Sequence, residues 1–446
     1  MPGSVFDSLL YGRLFQAGEV GRLFTDTAEI RAMLLVEGAL ARAQGGLGVI
    51  PETAATQIHR AAMEAQIDPA ALAEATGTNG VSVPALVAAF REAIPAPEAR
   101  PHVHWGATSQ DIADTGLMLR LRQALTLIEA DVIATLQALG RLATDHAETP
   151  MAARTYGQHA TPTAFGAVVA GWGAPLLDLL DELPALRDSC LLVSLSGAAG
   201  TSAALGDSAP QIRAALAQSL ALRDPGRSWH TDRGPVLRIA DWLTRLSLAL
   251  GKMGEDLTLH AQSDLGEIRL GGAGGSSTMP QKQNPVGPSV LVALARQATA
   301  LHGALQAAGM QRYQRDGAAW FTEWMALPQL VLGAAAGAGT ALRLAGSLAP
   351  DTAAMARVFD GPGQMMMAEA LSFALARTMP RPEAQAAVKA LCREATASGR
   401  PLAEVAAGQY PDLPGDLFDP RTQMGQAPEE ARAFSRRAAT ATGKKD

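Results

Sequence analysis

The chain has 446 residues, of which 48% are hydrophobic and only 4% aromatic, and its formal net charge at pH 7 is −6. This length suffices for two or three domains with a large core. Acidic and basic residues are interspersed, so no basic stripe indicates a nucleic-acid partner. Cys190 and Cys392 lie far apart in the sequence and in no metal-like spacing, so neither a disulfide framework nor a zinc site is indicated. No apolar signal segment or membrane-length apolar run occurs. We therefore expect a cytoplasmic protein with no membrane partner.

Residues 1–108 are expected to form an N-terminal helical domain. Apolar residues at helical spacing predict an amphipathic helix over 25–45, and a Gly-Val-Ile-Pro segment ends it. A polar, glycine-bearing loop is expected at 76–84. The sequence leaves two interpretations of this loop open, a plain turn between helices or a loop that contacts a ligand.

Residues 109–348 are expected to form a central bundle of about five long helices. Thr108 and Asp111 fit a capping box at the start of the first one. Apolar residues then recur every three or four positions over 121–142, which is typical of a helix bundle. The N-terminus of such a helix favours a bound anion. A second polar cluster at 154–163 precedes a long apolar helix, which prolines at 175 and 184 are expected to break.

A glycine-rich stretch at 271–285 precedes another long helix. Glycine lets the backbone approach a ligand closely. Asn284 is expected to be the N-cap of that helix and Pro285 its first residue. The stretch is either a surface linker or a catalytic lid that carries Ser276 and Lys282 over an anion site. The proline-rich residues 349–446 are expected to form a small helical C-terminal domain. We find no alternating strand pattern, Rossmann fingerprint, P-loop, HExxH or GxSxG motif, which leaves an all-α fold.

Three segments together resemble one known family. The pattern Gly-Ser-Ser-x-Met-Pro-x-Lys-x-Asn-Pro at 275–285 resembles the signature loop of the fumarase/aspartase superfamily. Residues 102–111 and 154–162 resemble its first and second conserved regions, in the same order. The resemblance implies β-elimination, or its reverse, next to a carboxylate. It also implies a homotetramer whose active sites are each built from three chains, with no cofactor and no metal.

The resemblance also implies roles for individual residues. Ser276 corresponds to the proton-transfer residue, and His159 and Lys282 are the other expected catalytic residues. Substrate contacts are implied for Asn79, Ser82, His104, Thr108, Ser109, Gln110, Arg154, Thr155, Gln158, Ser277 and Asn284. Alternatives remain open at two of these positions. His104 is either a substrate contact or a structural histidine, and Arg154 either balances charge in the active site or forms a plain salt bridge.

Within the superfamily, segments 103–111, 229–231, 323–328 and 425–427 resemble the lactone-forming branch, which implies a small polycarboxylate substrate. In that reaction the leaving carboxylate needs little protonation, so His159 either transfers a proton or only orients substrate. An adenylosuccinate-lyase-like enzyme and a catalytically silent scaffold are the alternatives. The chain departs from the family at Gln281 and Gln283, because relatives often carry histidine and arginine there.

Overall fold

The computed structural model describes residues 3–272, 274–275, 279 and 282–441, and most of them lie in helices. The predicted all-α fold is confirmed. The N-terminal segment contains α1 (Gly18–Leu23), α2 (Asp26–Gly46), α3 (Glu52–Glu64), α4 (Ala73–Asn79) and α5 (Val83–Ala93). The long helices and one shorter helix follow: α6 (Ser109–Asp145), α7 (Phe165–Cys190), α8 (Ala209–Leu220), α9 (Gly234–His260), α10 (Val286–Ala308) and α11 (Gly317–Ser347).

The C-terminal part consists of short helices: α12 (Thr352–Arg357), α13 (Ala368–Leu375), α14 (Arg381–Ser398), α15 (Leu402–Gln409) and α16 (Ala427–Thr440). Short 3-10 helices lie at Pro69–Leu72, Arg100–His102, Ala203–Ser208, Gly361–Met367 and Pro420–Gln423. The strands are β1 (Pro150–Thr155), β2 (Gln158–Ala164), β3 (Ile268–Leu270), β4 (Gly274–Gly275), β5 (Gln283–Asn284) and β6 (Leu348–Pro350). They pair antiparallel as β1–β2, β3–β6 and β4–β5.

The chain divides into two compact units, each built from three segments. Unit 1 contains Met1–Asp131, Leu179–Leu248 and Ala293–Thr340; unit 2 contains Val132–Asp178, Ala249–Val292 and Ala341–Asp446. The helices α6, α7, α9, α10 and α11 contribute residues to both units. The division into three domains at 108 and 348 stays a prediction.

The helix predicted over 25–45 is present as α2, and its sequence explains both its start and its buried face. Thr25 is the N-cap, and its hydroxyl accepts a hydrogen bond from the Ala28 N–H at 3.2 Å. The predicted inward face is buried, including Met33 and Leu34 at 1% exposure each. Burying side chains of this size stabilises a fold by roughly 1.5–3 kcal/mol each, so tertiary packing supports the local signal.

Two predictions about helices are wrong. Thr76–Asn79 form the end of α4, so the polar loop shrinks to about three residues before α5. Pro175 and Pro184 do not break α7, which is continuous from Phe165 to Cys190. A proline inside a helix costs roughly 3 kcal/mol or more. Trp172, Leu176, Leu179 and Leu183 are each at most 4% exposed, and we attribute the continuity of α7 to the packing of this face.

The second polar cluster has no alternating strand pattern, yet it forms a β-hairpin of β1 and β2. Thr161 therefore lies in a strand, before α7 begins at Phe165.

The helix α11 is long and apolar enough to cross a membrane by length and composition, but 72% of its most apolar window is buried inside the protein. Core helices of soluble proteins have the same property.

Candidate active site

The start of α6 is fixed by Asp111, which is fully buried. One of its oxygens accepts the Thr108 N–H at 3.0 Å, which is one half of the predicted capping box. In total five groups donate hydrogen bonds to this carboxylate at 2.7–3.0 Å: Thr108 N, Ser194 Oγ, Ser196 N, Gly197 N and His230 Nε2. Asp111 therefore joins the end of α6 to the loop at 194–197 and to His230.

An exposed arginine lies beside the same helix end. Arg315 donates from Nε to Gln110 Oε1 at 2.9 Å and from Nη2 to Thr108 Oγ1 at 3.3 Å. A second bond from Nη2 reaches the Ala198 carbonyl at 3.3 Å. The free N–H groups at a helix N-terminus attract anions, and a guanidinium is suited to holding a carboxylate through two parallel hydrogen bonds. The start of α6 therefore combines a helix N-terminus with a guanidinium, two features that favour an anion, and the substrate contacts predicted for Thr108 and Ser109 stay predictions.

Gln110 is only 2% exposed, and its amide is already in use. It donates to Asp114 Oδ2 at 3.2 Å and to the His230 carbonyl at 2.9 Å. Asp114 in turn pairs with the buried Arg233 at 2.8 Å. Gln110 therefore links Arg315 to the buried ion pair of Asp114 and Arg233. Its role as a substrate contact stays a prediction.

His104 lies against a buried carboxylate. Its Nδ1 is 2.6 Å from Glu37 Oε1, and the Glu37 side chain is only 1% exposed. Burial acts to lower the pKa of His104, but the hydrogen bond and charge of Glu37, with the charge of Asp111, outweigh it and leave the pKa raised. His104 also has φ +65°, an uncommon backbone conformation for a residue other than glycine. The neighbouring carboxylates Glu37 and Asp111 thus favour the charged form of the His104 imidazole.

The predicted contacts Asn79 and Ser82 flank Gly80. Asn79 is the exposed last residue of α4, and Gly80 ends that helix in the left-handed conformation at φ +70°. A Cβ at Gly80 would lie 3.1 Å from Phe321 Cζ. Ser82 precedes α5, and its side chain makes no capping hydrogen bond. Its hydroxyl is therefore not needed to start the helix.

In unit 2, the β1–β2 hairpin carries four predicted site residues. Its turn is formed by Tyr156 and Gly157 at φ +52° and +73°, which is the conformation of a tight two-residue hairpin turn. The turn places Thr155 opposite Gln158, and Arg154 pairs with His159 across the strands. Thr155, Gln158 and His159 are exposed in the single chain, so they are free to meet a ligand or another copy.

Arg154 makes a two-pronged ion pair with Glu267. Its Nη2 and Nη1 lie 2.7 and 3.0 Å from the two carboxylate oxygens, and His260 Nδ1 contacts Oε2 at 2.8 Å. Burial acts to raise the pKa of Glu267, but the bonds from His260 and Arg154 outweigh it and leave the pKa lowered. The salt-bridge interpretation of Arg154 is thus present in the structure, and its role in active-site charge balance stays a prediction.

The signature loop is described only in part. Ser276, Ser277 and Gln281 lie outside the described residues. Lys282 is exposed, and its backbone N–H bonds the Met279 carbonyl at 3.0 Å. The predicted N-cap at Asn284 is wrong, because Asn284 pairs with Gly274 as part of β5 and α10 begins at Val286. Among the residues that the structure describes, no group of three or more His, Cys, Asp and Glu is placed to hold a metal ion.

Comparison with known proteins identifies the family. A family model described as a lyase matches residues 16–300. The 3-carboxy-cis,cis-muconate cycloisomerase of Pseudomonas aeruginosa is 40% identical over 430 residues, which cover 94% of this chain and 94% of the relative. The chain belongs to the fumarase/aspartase superfamily. The Pseudomonas putida protein of the same name is 38% identical, with 92% and 98% covered. The crystal structure of 3-carboxy-cis,cis-muconate lactonizing enzyme from Pseudomonas putida superposes with TM-score 0.91 at 36% identity, covering 97% of this chain and 99% of that chain.

Within one chain, the described site residues predicted from the superfamily resemblance fall into separate groups. In unit 1, hydrogen bonds join Thr108 and Gln110 through Arg315. In unit 2, one hairpin carries the group 154–159 and another carries Asn284. The catalytic and substrate-contact roles of these residues stay predictions.

Sequence reasoning missed several residues that shape these groups: Glu37, His230, His260, Glu267 and Arg315. One signal was available, because Glu37 is a charged residue on the apolar face of a predicted helix. A buried charge needs a partner, and Glu37 has His104 as its partner. The ion pair of Glu267 with Arg154 and the hydrogen bonds of Arg315 connect residues more than 100 positions apart, and no local pattern indicates them.

Proposed function

We propose that the chain is a cycloisomerase that interconverts 3-carboxy-cis,cis-muconate and 4-carboxymuconolactone, a reaction of protocatechuate degradation by the β-ketoadipate pathway. The observation that carries the proposal is the similarity, over nearly the whole chain, to several proteins named for this reaction. The carboxylate-binding chemistry at the start of α6 agrees with a small polycarboxylate substrate.

The reaction adds a carboxylate oxygen of the substrate across a carbon–carbon double bond, and a proton joins the neighbouring carbon. Before that proton arrives, negative charge is delocalised into the carboxylate next to that carbon. Preorganised donors aimed at such charge contribute roughly 3–4 kcal/mol each. The available donors are the N-termini of α6 and α10, Arg315 and Lys282. In this proposal Ser276 transfers the proton, and Lys282 holds the developing charge.

His159 is assigned to the same site, either as a proton donor or as a group that orients the substrate. Further substrate contacts are assigned to Asn79, Ser82, His104, Thr108, Ser109, Gln110, Arg154, Thr155, Gln158, Ser277 and Asn284. Neither a metal nor an organic cofactor is required, because no step needs redox or Lewis-acid chemistry beyond these donors.

We further propose that the chain is a cytoplasmic homotetramer whose active sites are each completed by three chains, with no nucleic-acid or membrane partner. In support, Thr155, Gln158, His159 and Lys282 are exposed in the single chain. Mixing the inactive variants Ser276→Ala and His159→Ala tests this, because mixed tetramers should recover part of the activity. A monomer mass by light scattering at micromolar concentration, or mixed tetramers with no activity, would contradict the proposal.

The substrate is tested by incubating the protein separately with 3-carboxy-cis,cis-muconate, cis,cis-muconate, adenylosuccinate and argininosuccinate. We expect loss of diene absorbance with the first, much weaker turnover of the second and none of the others. Turnover of adenylosuccinate without reaction on either muconate would refute the assignment. It would also show that Gln281 and Gln283 mark a different pocket.

The loop roles are tested with Ser276→Ala and Lys282→Ala. Each should lower kcat by about 10²–10³-fold or more while the protein folds normally, because each removes a group used in the transition state. Lys389→Ala is the matched control, since Lys389 is an exposed lysine on α14. Near-normal kcat in both loop variants would mean that the loop only covers the site.

A further inference from the structure

The helix α2 carries two buried polar side chains that contact the turn before α6. Glu37 and Gln44 are 2% and 1% exposed, and they lie about two helical turns apart on one face of the helix. Glu37 Oε1 is 2.6 Å from His104 Nδ1, and Gln44 Nε2 donates to the Trp105 carbonyl at 2.7 Å. The proposed reaction assigns no role to either residue, although both contact the segment that carries His104.

The backbone of this turn is held by contacts other than that of Glu37. Besides the carbonyl bond from α2, Arg91 Nη2 donates to the Val103 carbonyl at 3.1 Å. Gly106, at φ +73°, lies so close to Leu205 that an added Cβ would be 2.3 Å from Leu205 Cδ2. Glu37 contacts the imidazole instead of the backbone. Its effect should therefore be on the ring of the histidine more than on the path of the chain.

The burial of Glu37 favours a positive charge on His104. Glu37 Oε2 is buried and has no hydrogen-bond partner among the described residues, so His104 is the partner that the structure shows for this carboxylate. A buried carboxylate needs a compensating charge, which a protonated imidazole supplies. The charged groups that act on His104 from the packed elements are Glu37 on α2, Asp111 on α6 and Arg91 on α5. Burial and Arg91 lower the pKa of His104, but the two carboxylates outweigh them and leave it raised.

Nε2 is the ring nitrogen of His104 that Glu37 does not use. The side chain is 19% exposed, so part of the ring reaches the surface, and Thr108 and Ser109 follow it in the chain. A carboxylate ligand only accepts hydrogen bonds, so Nε2 must carry a proton to bind one. Because Nδ1 already donates to Glu37, a proton on Nε2 as well requires the charged imidazolium.

We propose that Glu37 is a positioning residue of the substrate site, which fixes the His104 ring through Nδ1 so that Nε2 donates a hydrogen bond to one substrate carboxylate. The inference rests on the proposed function, because it uses the substrate contact predicted for His104. It goes beyond that function by giving α2, a helix without a predicted site residue, a part in substrate binding. Binding is then sensitive to pH, since this donor exists while the imidazole is charged.

Isothermal titration calorimetry of the complete protein with citrate tests the proposal without turnover, because citrate is a tricarboxylate without the diene. Glu37→Gln keeps the size of the side chain and removes its charge. Citrate should bind about tenfold more weakly to this variant at pH 7, because a neutral donor replaces a charged one.

Glu129→Gln is the matched control for the loss of a buried carboxylate. Glu129 lies on α6, its side chain is 9% exposed, and it pairs with Arg187 on α7 at 2.8 Å. Removing its charge should lower stability to a similar extent and leave the affinity for citrate unchanged. Equal weakening of citrate binding in the two variants would overturn the proposal, because Glu37 would then act through the stability of the fold.

The pH profile separates a positioning role from a structural one. The wild-type imidazole should stay charged to a higher pH than that of Glu37→Gln, because the variant loses the main group that opposes burial. The ratio of the two dissociation constants for citrate should therefore shrink as the pH falls and both imidazoles become charged. The titration of citrate itself cancels in this ratio. A ratio that stays constant between about pH 5.5 and pH 7.5 would contradict the proposal.

A double-mutant cycle tests whether Glu37 acts through His104. His104→Asn is the second change, because asparagine tolerates the φ of +65° at this position. Glu37→Gln should weaken citrate binding in the wild-type background and cause little further loss in His104→Asn. Fully additive losses would remove His104 as the group that Glu37 positions.

Steady-state kinetics distinguish failure of this proposal from failure of the proposed function. With 3-carboxy-cis,cis-muconate, Glu37→Gln should raise KM about tenfold relative to Glu129→Gln and change kcat little, because the bond is made to substrate and transition state alike. Turnover with the same KM in both variants would overturn the role of Glu37 alone. No turnover by the wild type, with the citrate results as expected, would overturn the proposed reaction alone. Absence of citrate binding by the wild type would overturn the contact at His104 and with it the role of Glu37.

Discussion

Replacing Glu267 by glutamine tests how unit 2 holds Arg154. The Glu267 side chain is fully buried and receives three hydrogen bonds at 2.7–3.0 Å, two from Arg154 and one from His260. Glutamine keeps the size but loses the charge. Hydrogen bonds to charged groups contribute roughly 1.5–3 kcal/mol and neutral ones roughly 0.5–1.5 kcal/mol. Three such bonds therefore give a loss of about 3 kcal/mol. This matches the roughly 3–5 kcal/mol measured when one partner of a buried ion pair is removed.

The pH dependence of this loss has a defined sign. The pKa of Glu267 lies below its ordinary value of 4.5, because the bonds from His260 and Arg154 outweigh the effect of burial. A lowered folded-state pKa means that the stabilisation is fully present above pH 4.5 and disappears as the pH falls through the lowered value. The difference in unfolding free energy between wild type and Glu267→Gln should thus be constant near neutral pH and shrink below pH 4.5.

The assay is urea unfolding followed by circular dichroism, at one protein concentration because subunit association also affects apparent stability. Glu148→Gln is the control, since Glu148 pairs with Arg432 at the surface and its side chain is 64% exposed. Exposed pairs contribute at most about 1 kcal/mol. Equal losses in the two variants, or a Glu267 difference that persists unchanged into acid, would refute the reasoning.

Two further predictions concern unit 1. Glu37→Gln should lower the pKa of His104 measured by NMR, because it removes the main group that opposes the effect of burial. The stabilisation from this pair should be fully present below pH 6.5 and disappear as the pH rises through the raised folded-state pKa; a variant with an unchanged pKa would contradict this. Arg315→Gln should raise KM for the carboxymuconate about tenfold with an unchanged melting temperature, because Arg315 is exposed and bonds the end of α6. A normal KM would remove Arg315 from the site.

Local sequence signals predicted the helices well where one face is buried. The spacing of apolar residues located α2 and α6, and the capping signal at Thr108 with Asp111 located the start of α6. These signals succeed because capping and helical periodicity act within a few residues.

Local sequence signals gave wrong predictions where tertiary packing or strand pairing determines the secondary structure. The helix α7 continues through Pro175 and Pro184 although each removes a backbone donor. The β1–β2 hairpin forms in a polar segment without alternation, where Tyr156 and Gly157 provide the tight turn. Asn284 has the side chain of a good N-cap, yet its backbone pairs with Gly274. In each case a partner distant in sequence outweighs a local preference.

Asp111 shows why the candidate site was only half predictable. The sequence assigned Asp111 to the cap of α6, and one oxygen does accept the Thr108 N–H. The remaining hydrogen bonds come from groups 83 to 119 residues away. A fully buried carboxylate needs several donors to offset its desolvation, so a cap residue with no exposure must have such partners. The burial of Asp111, which the sequence does not show, is what would have indicated these distant partners. The same carboxylate caps the start of α6 and binds the 194–197 loop beside the proposed carboxylate site.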